Sequence, residues 1–373
     1  MAEIIRDQAK RMLTSPEAIE PEEIAEQIAL VSHALMPDAF EVSDENSLRP
    51  RTLEDYLGQE ALKEKLHITL EAARRRNEPL DHVLLYGPPG LGKTTMAMIL
   101  ATEMQAPIMV TSAPSLERPR DVVGLLMTME PNTILFIDEI HRLNKVTEEI
   151  LYPAMEDFTL LRTIGKGPTA KSISIPLPPF TLVGATTKAG SLSNPLRDRF
   201  GLVHRLNYYT SNELLEILIR SALILGMTLE VDAAQAISQR SRGTPRIANR
   251  LLKRVRDFAE VRHDESKTIT EKIALEAMTL HDIDEHGLDD TDRRLLTALL
   301  ERFGGGPVGL ESLAVSIGED VRTVEDIYEP FLMQSGFIQR TPRGRMITPY
   351  ALKHLFPHSA STIALQLELS TDL

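Results

Sequence analysis

The chain has 373 residues, enough for two or three domains with cores of their own, and its 42% hydrophobic and 25% charged content is ordinary for a globular protein. It contains no cysteine, which excludes disulfides and thiolate metal sites, and no apolar run reaches the roughly 20 residues a membrane helix needs. The net charge of −13 argues against nucleic acid only superficially, because eleven acidic and three basic side chains fall in residues 1–46, leaving the rest only mildly acidic, and phosphate binding depends on local basic patches.

The acidic extension 1–46 lacks the basic-then-apolar order of a signal peptide, so the expected location is cytoplasmic. Within it, Pro21 to Met36 reads as a helix opening on proline, with Ile24, Ile28, Val31 and Leu35 on one face. The main body opens at Leu48-Arg49-Pro50-Arg51. From Asp81 to about Tyr209, short apolar runs alternate with helical patterns. His82–Tyr86, Ile134–Ile137 and Phe180–Val183 read as strands covered on both faces, so residues 47–209 are expected to form an α/β domain with a largely parallel sheet. Residues 210–282 read as a small helical domain, entered through a cap at Ser211 before Leu214, Leu215 and Leu218. Residues 283–357 form a third unit, with helices at Thr291–Arg302, Leu310–Ile317 and Val321–Gln334 followed by a strand–turn–strand from Phe337 to Ile347; 358–373 reads as a tail.

Gly87-Pro88-Pro89-Gly90-Leu91-Gly92-Lys93-Thr94 matches the P-loop pattern G-x-x-x-x-G-K-[ST] at every fixed position, and it stands between a buried strand and a helix. Its glycines, Gly90 and Gly92 among them, let backbone N–H groups converge on phosphate oxygens at a helix N-terminus. Lys93 is expected to reach the β- and γ-phosphates of ATP, and the hydroxyl of Thr94, followed by Thr95, to face Mg²⁺. Ile134 to Ile137 delivers Asp138 and Glu139 at a strand's C-terminal end, where open α/β sheets bind ligands. Asp138 is placed to hold the Mg²⁺ shell and Glu139 to polarise the attacking water, on the premise that adjacent strand residues point in different directions. Asp138-Glu139-Ile140-His141 also spells the box of two-lobed helicases, but after Ser211 the pattern shows only helices and no second series of buried strands.

Gly184-Ala185-Thr186-Thr187 ends a buried strand as sensor 1 does in AAA+ proteins. Asn194 to Gly201 resembles an arginine-finger segment, with Arg199 as the finger and Arg197 as its competitor; Gly243-Thr244-Pro245-Arg246 resembles sensor 2. In order along the chain, Arg49-Pro50, Gly58-Gln59, the P-loop, Asp-Glu-Ile-His, Gly-Ala-Thr-Thr, Leu-Arg-Asp-Arg-Phe-Gly and Arg-Gly-Thr-Pro-Arg resemble the RuvB family of AAA+ Holliday-junction motors over about five-sixths of the chain.

The resemblance implies an AAA+ P-loop domain, a helical lid and a winged-helix head. It implies an ATP-hydrolysing subunit of a homo-hexameric ring that moves duplex DNA at a Holliday junction, with Mg²⁺ and ATP or ADP bound. It places Thr187 by the γ-phosphate, makes Arg246 a phosphate contact from the lid, and sends Arg199 to a neighbour's ATP. Leu48 and Arg49 then line the adenine pocket, Tyr209 lies close to the nucleotide, and Glu156, Asp157 and Phe158 lie near the neighbouring subunit's nucleotide. The segment Thr159–Ile175, turning at Gly165-Lys166-Gly167-Pro168, resembles the hairpin that docks RuvA, the junction-binding partner; the resolvase RuvC belongs to the wider complex. Arg340 and Arg345 match DNA-contacting positions on the wing, with Arg343 at the hairpin tip, all suited to backbone phosphates. Two rival readings share the nucleotide motifs: a clamp-loader-like subunit, disfavoured by a third unit that reads as a winged helix, and a nucleotide-dependent DNA-binding switch.

Overall fold

The computed structural model describes residues 47–164, 171–263 and 268–355. The expected helix at 21–36, the turn at 165–168 and the tail 358–373 lie outside the described residues.

The first domain opens with α1 (Glu60–Arg76), then β1 (Val83–Tyr86), α2 (Lys93–Met104), β2 (Ile108–Ser112), α3 (Pro119–Met127), β3 (Ile134–Asp138) and α4 (Lys145–Asp157). An antiparallel hairpin follows, β4 (Thr159–Ile164) with β5 (Lys171–Pro176), then β6 (Thr181–Thr186), α5 (Asn194–Arg197) and β7 (Leu202–Arg205). The main sheet has the order β2-β3-β6-β1-β7 with every pair parallel. Because side chains alternate across a strand, each face builds its own core. Val83, Leu85, Phe136 and Val183 pack on α1 and α2, whereas Leu84, Leu135, Ile137 and Leu182 pack on α3 and α4. The first strand starts one residue later than its apolar run suggests. His82 is buried, and its ring rather than its backbone serves β6, accepting from the Leu182 N–H at 2.9 Å through Nδ1.

The lid comprises α6 (Ser211–Ile224), α7 (Val231–Gln239), α8 (Pro245–Arg262) and α9 (Glu271–Leu280). Leu214, Leu218, Leu251, Leu252 and Val255 continue the core that covers one face of the sheet, so the lid and the first domain share a hydrophobic interior. Two expectations are corrected here. The cap of α6 is Thr210, not Ser211: its hydroxyl accepts from the Glu213 N–H while the Glu213 carboxylate accepts from the Thr210 N–H, a reciprocal box. The region is also not purely helical, since β8 (Thr228–Leu229) and β9 (Thr268–Ile269), rich in β-branched residues, form a short parallel pair.

The head comprises α10 (Asp290–Glu301), α11 (Leu310–Ile317), α12 (Val321–Thr323), a π-helical stretch (Val324–Tyr328), α13 (Glu329–Gln334), the hairpin β10 (Ile338–Thr341) with β11 (Gly344–Ile347), and α14 (Pro349–Leu355). This is a winged helix around Leu295, Leu299, Leu313, Leu332, Phe337 and Ile347. The third helix is not the continuous one expected over Val321–Gln334. Pro330 has no N–H to donate back into the preceding turn, and the register widens to π just before it. The unit does not end on its hairpin either: Ala351 and Leu352 of α14 are buried in the core. Among the described residues no helix is long and apolar enough to cross a membrane.

Candidate nucleotide site and its inter-domain connections

β1 runs directly into the P-loop, and Gly90 and Gly92 take the positive φ values of 80° and 95° that the turn requires. A Cβ would not fit well at either position. At Gly90 it would lie 3.2 Å from Cβ of Arg246, and at Gly92 it would lie 3.1 Å from the Tyr56 hydroxyl. The phosphate loop is therefore packed from the lid on one side and from the segment before α1 on the other.

Lys93 is buried, and its Nζ donates to the carbonyls of Gly87 and Pro88 at 2.8 Å each. Burial lowers its pKa to about 8; Asp138 and Glu139 oppose that shift and Arg246 reinforces it, so all four charges meet at one cleft. Asp138, the last residue of β3, accepts from the Glu139 N–H at 2.8 Å through Oδ1. Glu139 is re-aimed by a left-handed backbone (φ 49°), not by strand alternation as the sequence suggested, and its carboxylate accepts from Arg142 at 2.8 Å. A positive φ at a non-glycine beside the chemistry is the kind of local strain that functional sites hold.

β6 lies between β1, which leads into the P-loop, and β3, which ends at Asp138. Thr187 is the first residue beyond it and is exposed, whereas Thr186 is buried, with its hydroxyl 2.9 Å from Nδ1 of His141 and accepting from the Lys188 N–H. Arg246, at the start of α8, is exposed, and its backbone N–H reaches the Gly90 carbonyl at 3.4 Å. Thr94 and Thr95 are half-buried on the first turn of α2.

Leu48 is buried, and its carbonyl accepts from Arg220 of the lid at 3.5 Å; Arg49 reaches the sulfur of Met98 on α2 at 3.6 Å. Both thus lie along the seam of P-loop helix and lid. Tyr209 is buried too, and its hydroxyl donates to that of Tyr56 at 2.8 Å, which in turn donates to the P-loop carbonyl of Leu91 at 3.3 Å. Burial pushes the Tyr56 phenol up to about 12 and raises that of Tyr209 as well, so both remain neutral hydrogen-bonding groups.

Arg199 makes none of these contacts. Its guanidinium lies 4.4 Å from the ring centre of Tyr152 and pairs with Glu156 at 3.1 Å, both on α4, and donates to the Pro195 carbonyl. Arg197 is tied instead to the carbonyl of Ala189. Asp157 is exposed beside Glu156, and Phe158 packs edge-on against Phe180 at 5.9 Å. Arg199 and Glu156, far apart in sequence, therefore share one surface.

Sequence reasoning missed two connections between this site and the head. Arg242, four residues before Arg246, is only 11% exposed and bonds the Gly287 carbonyl, Asp289 (3.0 Å) and Asp292 (2.6 Å), with its guanidinium over Phe331. Its charge stood in the motif Arg-Gly-Thr-Pro-Arg, but nothing there signals a partner in another domain. Lys188, next to Thr187, pairs with Asp326 in the π-helical stretch at 2.9 Å.

The three wing arginines differ in their surroundings. Arg340 and Arg343 are exposed, but Arg345 is only 11% exposed and forms a two-pronged pair with Glu329, at 2.9 and 2.8 Å. The three arginines are not one free cluster. Strand alternation within a hairpin shows neighbours along the strand but hides α13, which supplies the carboxylate.

Three family models match in succession: the P-loop domain of the Holliday junction DNA helicase RuvB at residues 48–206, the RuvB AAA lid domain at 209–284, and the RuvB C-terminal winged-helix domain at 285–356. The chain belongs to the RuvB family. The Holliday junction branch migration complex subunit RuvB 2 of Synechococcus sp. (strain JA-3-3Ab) is 59% identical over 313 residues, 84% of each chain. RuvB of Synechococcus sp. (strain RCC307) is 59% identical over 83% of this chain and 90% of its own. The Thermotoga maritima RuvB branch migration motor superposes with a TM-score of 0.76 at 50% identity, covering 83% of this chain and 98% of that one. Solved variants of the Thermotoga RuvB are substituted at a lysine, an alanine, a threonine, an arginine and a proline. The same residue types stand at the same intervals here, at Lys93, Ala185, Thr187, Arg199 and Pro245.

Proposed function

We propose that this chain is the ATP-driven motor subunit of a Holliday junction branch migration complex, acting in the cytoplasm as a homo-hexameric ring through which duplex DNA is drawn. The observation that carries the proposal is the division of labour among its charges. Lys93, Asp138, Glu139 and Arg246 converge on one cleft, while Arg199 is held on α4 by Tyr152 and Glu156 and is not spent on those carboxylates. An arginine so placed is available to a neighbour's ATP, which makes hydrolysis a property of the interface.

In this reading Lys93 exchanges its P-loop carbonyls for the β- and γ-phosphates, and Glu139 leaves Arg142 to orient the attacking water. Thr94 and Asp138 fit Mg²⁺, since both offer hard oxygen donors and Asp138 uses only Oδ1 toward the Glu139 N–H. When bound, the ion neutralises charge on the transferring phosphoryl group. Thr187 lies at the γ-phosphate end, Leu48, Arg49 and Tyr209 frame the base side, and Arg246 reports phosphate to the lid. The Thermotoga variants support these assignments, since their substitutions fall at the positions corresponding to Lys93, Thr187 and Arg199. The β4–β5 hairpin is the docking element for RuvA, with RuvC joining the wider complex. Arg340 and Arg343 hold the DNA backbone.

The test is ATP-dependent movement of a synthetic four-way junction, with and without RuvA, beside Glu139→Gln. Movement that needs ATP, rises with RuvA and is lost in a variant that still binds ATP is expected. ATP binding without movement, with RuvA demonstrably bound, would instead favour a nucleotide-dependent DNA-binding switch.

A further inference from the structure

We propose that Glu285, His286 and His354 form a binding site for a borderline divalent cation, best suited to Zn²⁺, which fastens the segment leaving the lid to the last helix of the head. Among the described residues these three offer ligand atoms that all lie within 4.8 Å of one another. Oε1 of Glu285 is 3.8 Å from Nε2 of His286 and 3.6 Å from Nδ1 of His354. Donors on a tetrahedral zinc, each at about 2.0–2.2 Å, stand roughly 3.3–3.6 Å apart, so both carboxylate–imidazole spacings already lie near that range.

The remaining ring nitrogens fix which atoms face inward. Nε2 of His354 lies 3.0 Å from Oδ2 of Asp284, so in the neutral ring it carries the proton and leaves Nδ1 as a lone pair. Nδ1 of His286 lies 3.4 Å from the Tyr350 hydroxyl, and when that hydroxyl accepts from Nδ1–H the ring's Nε2 carries the lone pair. A carboxylate behind a histidine is the usual outer partner of a metal-bound imidazole. In those tautomers Nε2 of His286, Nδ1 of His354 and the Glu285 carboxylate turn donor atoms toward one another, a set that a cation can bridge in place of ring protons.

The frame is already built. Oδ1 of Asp284 accepts from the N–H groups of His286 and Leu288, closing a turn that presents Glu285 and His286 side by side. The two imidazoles meet edge-to-face at 4.3 Å, and Phe337 covers both at 5.8 Å. Glu285 is exposed, leaving room for a water as fourth ligand. Two imidazoles and a carboxylate select Zn²⁺ or Co²⁺ over Mg²⁺. The site is separate from the nucleotide cleft and uses none of its residues.

The experiment titrates Co²⁺ into the chelator-treated, full-length protein without nucleotide and in excess Mg²⁺, following the visible ligand-field band, and then displaces it with Zn²⁺. Saturation at one ion per chain with a tetrahedral band, and at least tenfold weaker binding in both Glu285→Gln and His286→Asn, is expected. Glu285 is exposed, so the metal-free unfolding temperature of Glu285→Gln should match the parent, which separates lost ligation from lost folding. No stoichiometric binding, or equal binding in both variants, would overturn the proposal, the first leaving the cluster as a hydrogen-bonded clasp and the second placing the ion elsewhere.

Discussion

The charge state of Lys93 has a consequence that calorimetry can read. In the nucleotide-free protein burial lowers its pKa from 10.5 to about 8. Above pH 8 the site therefore holds a neutral lysine, whereas phosphates replacing the Gly87 and Pro88 carbonyls favour the ammonium. ATP binding at pH 8.5 should take up a proton, and at pH 7, where Lys93 is already charged, this uptake should vanish. Titrations in buffers of different ionisation enthalpy measure it, with Lys93→Arg as the control that removes it. On the wing, the pairing of Arg345 reverses the obvious mutagenesis. Arg345→Ala strips the partner from Glu329, itself 5% exposed, and should destabilise the head by about 3 kcal/mol, seen in thermal unfolding. Arg343→Ala should leave stability unchanged while weakening duplex binding and reducing its salt slope by about one.

Individual elements show where local chemistry sufficed and where it did not. The parallel strands were legible because burial on both faces writes a continuous apolar run, and the P-loop because glycines at fixed spacing have few other uses. The cap of α6 was misplaced by one residue, since Thr210 and Ser211 offer the same hydroxyl and only the reach of Glu213 separates them. Thr210→Ala should cost about 1 kcal/mol, whereas Ser211→Ala should be nearly neutral, a contrast that chemical denaturation resolves. The break in the third head helix was written in Pro330 but outweighed by the apolar periodicity around it. Tyr56 and His141 escaped assignment for another reason: their partners, Tyr209 and Thr186, lie 153 and 45 residues away, and nothing local marks a hydroxyl as a connector.

At the scale of the whole molecule, and among the described residues, one arginine of the lid and one lysine of the first domain pair with carboxylates of the head, with very different strength. Arg242 is enclosed by Asp289, a wholly buried Asp292 and Phe331, and breaking it would strand charge in the interior. Lys188–Asp326 is about half exposed at both ends and contributes at most about 1 kcal/mol. Asp326→Asn should therefore leave the unfolding temperature almost unchanged but increase amide exchange in Val324–Tyr328, and added salt should have the same effect on the parent protein. Mechanically the head resembles a door with a stout pivot and a light catch. The pivot lies in the loop just before α8, and the catch sits one residue past Thr187. A small rearrangement beside Thr187 can therefore free the π-helical stretch while the Arg242 anchor stays closed, so that the head turns about the anchor rather than detaching.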